Sequence, residues 1–139
     1  MAGIGTRKVK IEVDGTEYTA SMSNARFTSG EGDTDFLTFA QAAEGGSRAY
    51  RFQGVAVQDA ASGSLWRQIW DSAGDEVTVT LMPYGNATPS VGEPHFEGTA
   101  IISEPDGDFL GGEANASSTA RMTVEISWEL TGKPTMVTT

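Results

Sequence analysis

The stretch ARMTVEISWELTGKP, residues 120–134, constrains the fold of this chain more than any other. Met122, Val124, Ile126, Trp128 and Leu130 alternate with Thr123, Glu125, Ser127, Glu129 and Thr131. Only an extended backbone, whose side chains point alternately to opposite faces, turns that pattern into one apolar and one polar surface. A period of two predicts a β-strand with one face in a core and the other outward. A strand of this kind needs partners on both edges and a layer of apolar groups over its inner face, so the rest of the chain must supply a sheet. The outward face raises its own question, because its charged residues are acids.

The remaining segments supply that sheet. VKIEVDGTEYTAS, residues 9–21, reads as a hairpin about the two-residue turn Asp14-Gly15. Its register pairs Val13 with Thr16, Ile11 with Tyr18 and Val9 with Ala20, and sets Glu12 opposite Glu17 on the other face. NARFTSG and RAYRFQGVAVQD are the two strands of a long hairpin over residues 24–58, with a wide tip. Phe36, Leu37 and Phe39 form an apolar trio at that tip, either folded back on the core or kept for a partner; the residues alone favour the core. SGSLWRQIWDSAGDE predicts the one helix, with Ser62 or Ser64 as N-cap, Leu65, Trp66, Ile69 and Trp70 as its core stripe and Gly74 at its C-terminal end. DEVTVTLMPYG and PHFEGTAIIS are strands with Val77, Val79, Leu81, Phe96, Gly98, Ala100 and Ile102 inward, and EPDGDFLGGEANASS is a loop. KPTMVTT reads as a tail that Pro134 detaches from the sheet. Six or seven strands and one helix predict an all-β domain with one flanking α-helix, a two-sheet β-sandwich or partly open barrel, over a single domain 1–139.

Composition excludes several chemistries. The chain has no cysteine, so thiolate metal sites and disulfides are out. Its formal net charge of −10 is uneven: residues 68–120 hold nine acids and no Lys or Arg. That distribution argues against a protein that grips nucleic acid by neutralising phosphates. The start MAGIGTRKVK lacks the apolar run of a signal peptide, and no stretch approaches a membrane span. His95 is the sole histidine, with no zinc-ligand spacing around it, and neither a nucleophile elbow nor a phosphate-cradling loop is present. EGDTD (31–35) and EPDGD (104–108) fit acidic turns better than a calcium loop. Glu125 and Glu129 share a strand face, which leaves an acid-pair hydrolase as the one catalytic reading, and solvated glutamates as the commoner one. No cofactor is expected. By elimination the function lies in the surfaces of the chain.

GSLWRQIWDSAGDEVTVTLMPYGN followed by PHFEGTAIISEPDGDFLGGEANASSTARMTVEISWELTGKP resembles the major tail (tail tube) proteins of long, non-contractile-tailed bacteriophages. The set comprises a Trp-containing helix, an acidic strand start, a Pro-Tyr-Gly strand exit, a Phe-x-Gly strand, a Gly-Gly loop, an alternating strand ending Trp-x-Leu, and Gly-Lys-Pro. The likeness covers roughly residues 50–134, with residues 1–49 fitting in outline. It implies a virion structural protein, made in the host cytoplasm, that assembles as homohexameric rings stacked into a tube. Its partners would be itself and the tape measure, tail terminator and distal tail proteins, with viral DNA passing through and no membrane involved. The resemblance implies that residues 29–48 bridge between rings through Phe36, Leu37 and Phe39, against the reading from the residues alone. It also implies arms at 1–7 and 133–139, with Arg7, Lys8, Met136 and Val137 as further inter-ring contacts. Glu97, Glu125 and Glu129 would line the channel, where carboxylates repel phosphates over about a Debye length, about 8 Å at physiological salt. Six subunits giving four strands each span about 24 × 4.8 Å, roughly 37 Å across backbones. The alternative from the binding class is a β-sandwich that recognises a carbohydrate or a host surface.

Overall fold

The structure is a computed structural model that describes residues 3–32, 38–43 and 48–139. The chain is built from antiparallel strands: β1 (Lys10–Val13), β2 (Thr16–Glu17), β3 (Met22–Glu31), β4 (Arg48–Val57), β5 (Glu76–Met82), β6 (His95–Ile101), β7 (Thr123–Leu130) and β8 (Thr135–Val137). Among the described residues there are also two α-helices, α1 (Phe39–Ala43), a short one beyond the single helix expected, and α2 (Leu65–Ser72), with a 3-10 turn at Thr19–Ser21. The all-β expectation holds at that level.

The strands form one sheet in the order β2-β1-β5-β6-β7-β4-β3, with β8 beside β6. β6 and β7 meet only at Ala100↔Leu130 and Ile101↔Glu129, so the sheet has a narrow neck between a β2-β1-β5-β6 arm and a β7-β4-β3 arm. The two arms curl toward each other. A methyl group placed on Gly98 of β6 would lie 3.3 Å from Leu130 and 3.6 Å from the ring of Phe27 on β3, at the far end of the other arm. Glycine at 98 lets the arms close. The core lies inside this curl: Trp128, Phe52, Ile69, Val79, Val13 and Val124 are fully buried. Phe27, Phe52 and Trp128 make a contiguous aromatic run, with centroids 5.8 and 5.7 Å apart.

Strand β7 behaves as its alternation demands. Val124, Ile126, Trp128 and Leu130 are buried, and Thr123, Glu125, Ser127 and Glu129 are exposed. Met122 lies outside the strand and is exposed. The Asp14-Gly15 turn has positive φ at both residues, 54° and 84°, as a primed turn requires. Val13↔Thr16 and Glu12↔Glu17 pair, and Tyr18 N–H donates to the Ile11 carbonyl. The hairpin stops there, because the 3-10 turn from Thr19 carries Ala20 away from Val9. β3 is longer than the stretch NARFTSG, running ten residues with a bulge between Ser23 and Arg26.

Helix α2 begins at Ser64, whose hydroxyl accepts from the Arg67 N–H at 3.1 Å. It ends before Gly74 at φ 100°. Leu65, Trp66 and Ile69 are buried against the sheet, Trp66 Nε1 donates to the Phe109 carbonyl at 2.8 Å, and Gln68 accepts from the Tyr18 hydroxyl. Trp70 departs from its expected core role: it is 54% exposed. The cause is geometric, since Trp66 already fills the space and Trp70 stacks on its outer surface at 5.3 Å and 25°. Ser64→Ala is expected to cost about 1 kcal/mol, the usual loss for a serine N-cap, read as a lower midpoint in thermal melting.

The C-terminal segment corrects a second expectation. Pro134 does not detach the tail. β7 and β8 are nearly one strand running along β6: Thr131 N–H donates to the Thr99 carbonyl, and the ladder resumes at Thr135↔Glu97 and ends at Val137↔His95. The register shifts by two residues across Gly132-Lys133-Pro134. Proline lacks only its own N–H, and inside a bulge that donor has no ladder partner to lose.

Candidate functional site

The pairing registers place the chain's charges. On the face turned away from the core stand Glu12, Glu17, Glu76, Glu97, Glu125 and Glu129, together with Lys10, Arg26 and Arg51. One row crosses the neck as Glu76, Ile101, Glu129, Arg51 and Thr28. The three glutamates expected to line a channel therefore share one exposed sheet face, Glu97 on β6 and Glu125 and Glu129 on β7. That face is not purely acidic. Arg51 sits opposite Glu129 and donates to the Ser127 hydroxyl at 3.3 Å, and Arg26 donates to Gln53 Oε1 at 3.2 Å. Arginines spent on neutral acceptors within the sheet hold the middle of the face less negative than the sequence of β7 alone suggests.

Glu125 and Glu129 are both exposed and stand four residues apart along β7, their backbones separated by about 13 Å. His95 is buried, and its Nε2 donates to the Asn86 carbonyl at 2.8 Å, fixing the 86–93 loop that Asn86 Nδ2 closes onto Thr88 and Glu93. Among the described residues no group of three or more His, Asp or Glu side chains is placed to hold a metal ion. No described helix is long and apolar enough to cross a membrane.

The environment of Tyr18 shifts its titration. Burial is the main cause and raises its pKa, the nearby Asp14 charge adds to the rise, and a hydrogen bond with Thr16 opposes both. A tyrosine with a raised folded pKa keeps its proton while the unfolded chain releases one, so stability falls with pH above the ordinary phenol range, near 10. The expected result is that Tyr18→Phe removes a late-titrating component from the tyrosinate absorbance and flattens the alkaline loss of stability.

Three exposed features remain. The first is the outer edge of β3, ten residues long and, among the described residues, hydrogen-bonded to β4 on one side only. The second is the hairpin tip. Phe39, at the start of α1, is 97% exposed; Phe36 and Leu37 lie outside the described residues. Arg7 and Lys8 are exposed, Met136 is exposed on β8 and Val137 is half-buried, so the contacts expected of the terminal arms reach solvent although β8 is docked on β6. The third is a cleft of about 560 Å³ beyond the neck, where β4 runs past its last pairing with β7 and β8 follows β6. Phe27, Tyr50, Phe96, Pro134 and Met136 line it, with Lys133 at hand. The sequence marked Met136 but not the cleft, because Phe96 read simply as an inward strand position and Phe27 as part of a short strand. Only the change of strand partner at Leu130 opens a gap between them. Trp70, Trp66 and Phe109 form a separate aromatic cluster with centroids 5.0 to 5.6 Å apart. Neither protein-family profiles nor curated proteins match this chain.

Proposed function

We propose that this chain is a structural subunit of a phage tail tube, a sandwich-type domain that closes side by side into hexameric rings and stacks them into a hollow cylinder for genome passage. The observation that carries the reading is the open edge of β3. A ten-residue strand whose outer row of backbone donors and acceptors has no strand partner among the described residues is an association surface that monomeric β proteins blunt or cover. Joining that edge to a neighbouring subunit removes the liability and extends the sheet around a ring. The exposed Phe39 supports contact between rings, and the acid-rich outer face supports a channel to which DNA does not adhere. In this reading Glu97, Glu125 and Glu129 face the bore, with Arg26 and Arg51 held to Gln53 and Ser127.

Hydrogen exchange tests the edge directly. In the monomer, the β3 amides that point away from β4 exchange quickly; in assemblies they are expected to become protected. Equal exchange in both states contradicts lateral joining through β3.

A carbohydrate- or host-surface-binding module is the second reading, and one feature favours it: Trp70 is a half-exposed indole backed by Trp66 and Phe109, the kind of flat platform on which a sugar ring stacks. Glycan-array binding that Trp70→Ala abolishes, in a protein that never forms filaments, would replace the tube reading.

A further inference from the structure

We propose that the cleft beyond the sheet neck is the seat for Phe39 of a second copy of this chain. The proposal rests on the tube reading for its biological setting but specifies a contact that the reading leaves open.

The cleft is apolar and large enough. A cavity of about 150 Å³ lined by apolar side chains accepts a benzene ring, and this one holds about 560 Å³ between Phe27, Tyr50, Phe96, Pro134 and Met136. It offers aromatic walls to a phenyl ring from both arms of the sheet.

The knob is built to be presented. Helix α1 has five residues and buries none of them. Its start is nevertheless fixed by reciprocal bonds: the Gln41 N–H donates to the Thr38 hydroxyl at 3.1 Å, and the Thr38 N–H donates to Gln41 Oε1 at 3.0 Å. This is a capping box, which holds a helix start in one geometry. A capped turn that contributes nothing to its own core, with Phe39 as its first residue at 97% exposure, orients a ring for something outside the subunit. The same exposure shows that Phe39 does not fill its own cleft.

Charge favours the same pairing. The tip sequence from 31 to 47 carries Glu31, Asp33, Asp35 and Glu44 and no basic residue. Among the described residues, the one charged side chain lining the cleft is Lys133. An acidic, aromatic-bearing tip and a lysine-flanked apolar cleft are complementary, and both belong to one chain. Knob and cleft are different patches, so the contact is heterologous and propagates from copy to copy instead of stopping at a symmetric pair.

Two variants isolate the two halves. Phe39→Ala keeps the cleft and removes the knob; Ser29→Trp, at an exposed position on the cleft wall, keeps the knob and fills the cleft. Each is expected to raise the concentration needed for assembly by roughly tenfold or more, with far-ultraviolet circular dichroism and melting unchanged. In an equimolar mixture this contact is expected to link copies only in pairs, since one intact knob meets one intact cleft and neither partner can pass the contact on. Where wild-type protein does not assemble unaided, Phe39→Cys mixed with Ser29→Cys under mild oxidation reads the same contact, because the chain has no other cysteine. A disulfide-linked dimer about tenfold in excess over either variant alone is expected. Hollow filaments formed equally well by Phe39→Ala and Ser29→Trp overturn the seat while leaving the tube reading standing. Dimers that follow the knob-and-cleft pattern in a protein that never builds a hollow filament uphold the seat and overturn the tube. No cross-link above the single-variant background overturns the seat.

Discussion

Trp128→Ala is expected to cost about 3–5 kcal/mol, the range for deleting a fully buried aromatic side chain, and to leave little of the chain folded near its physiological temperature. Trp128 has no exposed surface and carries the contact between β7 and β4 through Phe52, which in turn touches Phe27 on β3. A domain of this size has roughly 5–15 kcal/mol of total stability, so the loss is a large share of it. Trp128→Phe separates packing from polarity. The indole N–H is buried with no acceptor among the described residues, and leaving a buried donor unpaired costs about 1–3 kcal/mol. Phenylalanine gives up some buried area but removes that unpaired donor, so its net cost is expected below about 2 kcal/mol. Urea denaturation followed by circular dichroism measures both. Equal losses for the two variants contradict this account of the core.

Ser23→Lys combined with Gly30→Lys is expected to block assembly while sparing the monomer. Both positions are exposed on β3, and nothing lies within 4 Å of a side chain started at Gly30. Surface changes of this kind shift stability by about 0.5 kcal/mol or less. Lysines on an open edge are a common device against strand addition, because a joining strand would have to bury or displace them. A rise of roughly tenfold or more in the concentration at which protein pellets is expected, equivalent to about 1.4 kcal/mol per contact. Both positions lie outside the apolar cleft, so this double variant tests lateral joining separately from the seating of Phe39. Pelleting at the wild-type concentration contradicts a ring closed through β3.

Local rules in the sequence were sufficient for the elements whose stability is local. The alternation in TVEISWEL, the Asp14-Gly15 turn and the Ser64 cap each encode their conformation within a few residues, and each holds in the structure. The same rules say which side of a strand is buried but not which strand lies beside it. The neck at Ala100–Ile101, the curl that brings Phe27 to Gly98, and the cleft beyond Leu130 all follow from pairings distant in sequence. Pro134 misled because proline removes one donor and the sheet absorbs that loss in a bulge, so Thr135–Val137 still pairs with β6. Trp70 misled because periodicity counts faces and not volume: helix α2 has room beneath it for one indole, and the second stacks outside. The mixed charge of the outer face was half legible. The glutamates of β7 are plain in the sequence, whereas the positions of Arg26 and Arg51 beside them depend on the β3-β4-β7 register.

The central claim is that the subunits close into a cylinder with the glutamate-bearing face of β7 inward. Electron cryo-microscopy of concentrated or seeded protein tests it most directly. The predicted map is a hollow filament of stacked six-membered rings in which β3 continues into a neighbouring sheet and Glu125 and Glu129 point into the bore. Protein that stays as single globular particles at every concentration and with every seed contradicts the cylinder. A tube whose bore is lined by lysine and arginine, with β7 facing outward, contradicts the role assigned to its acids.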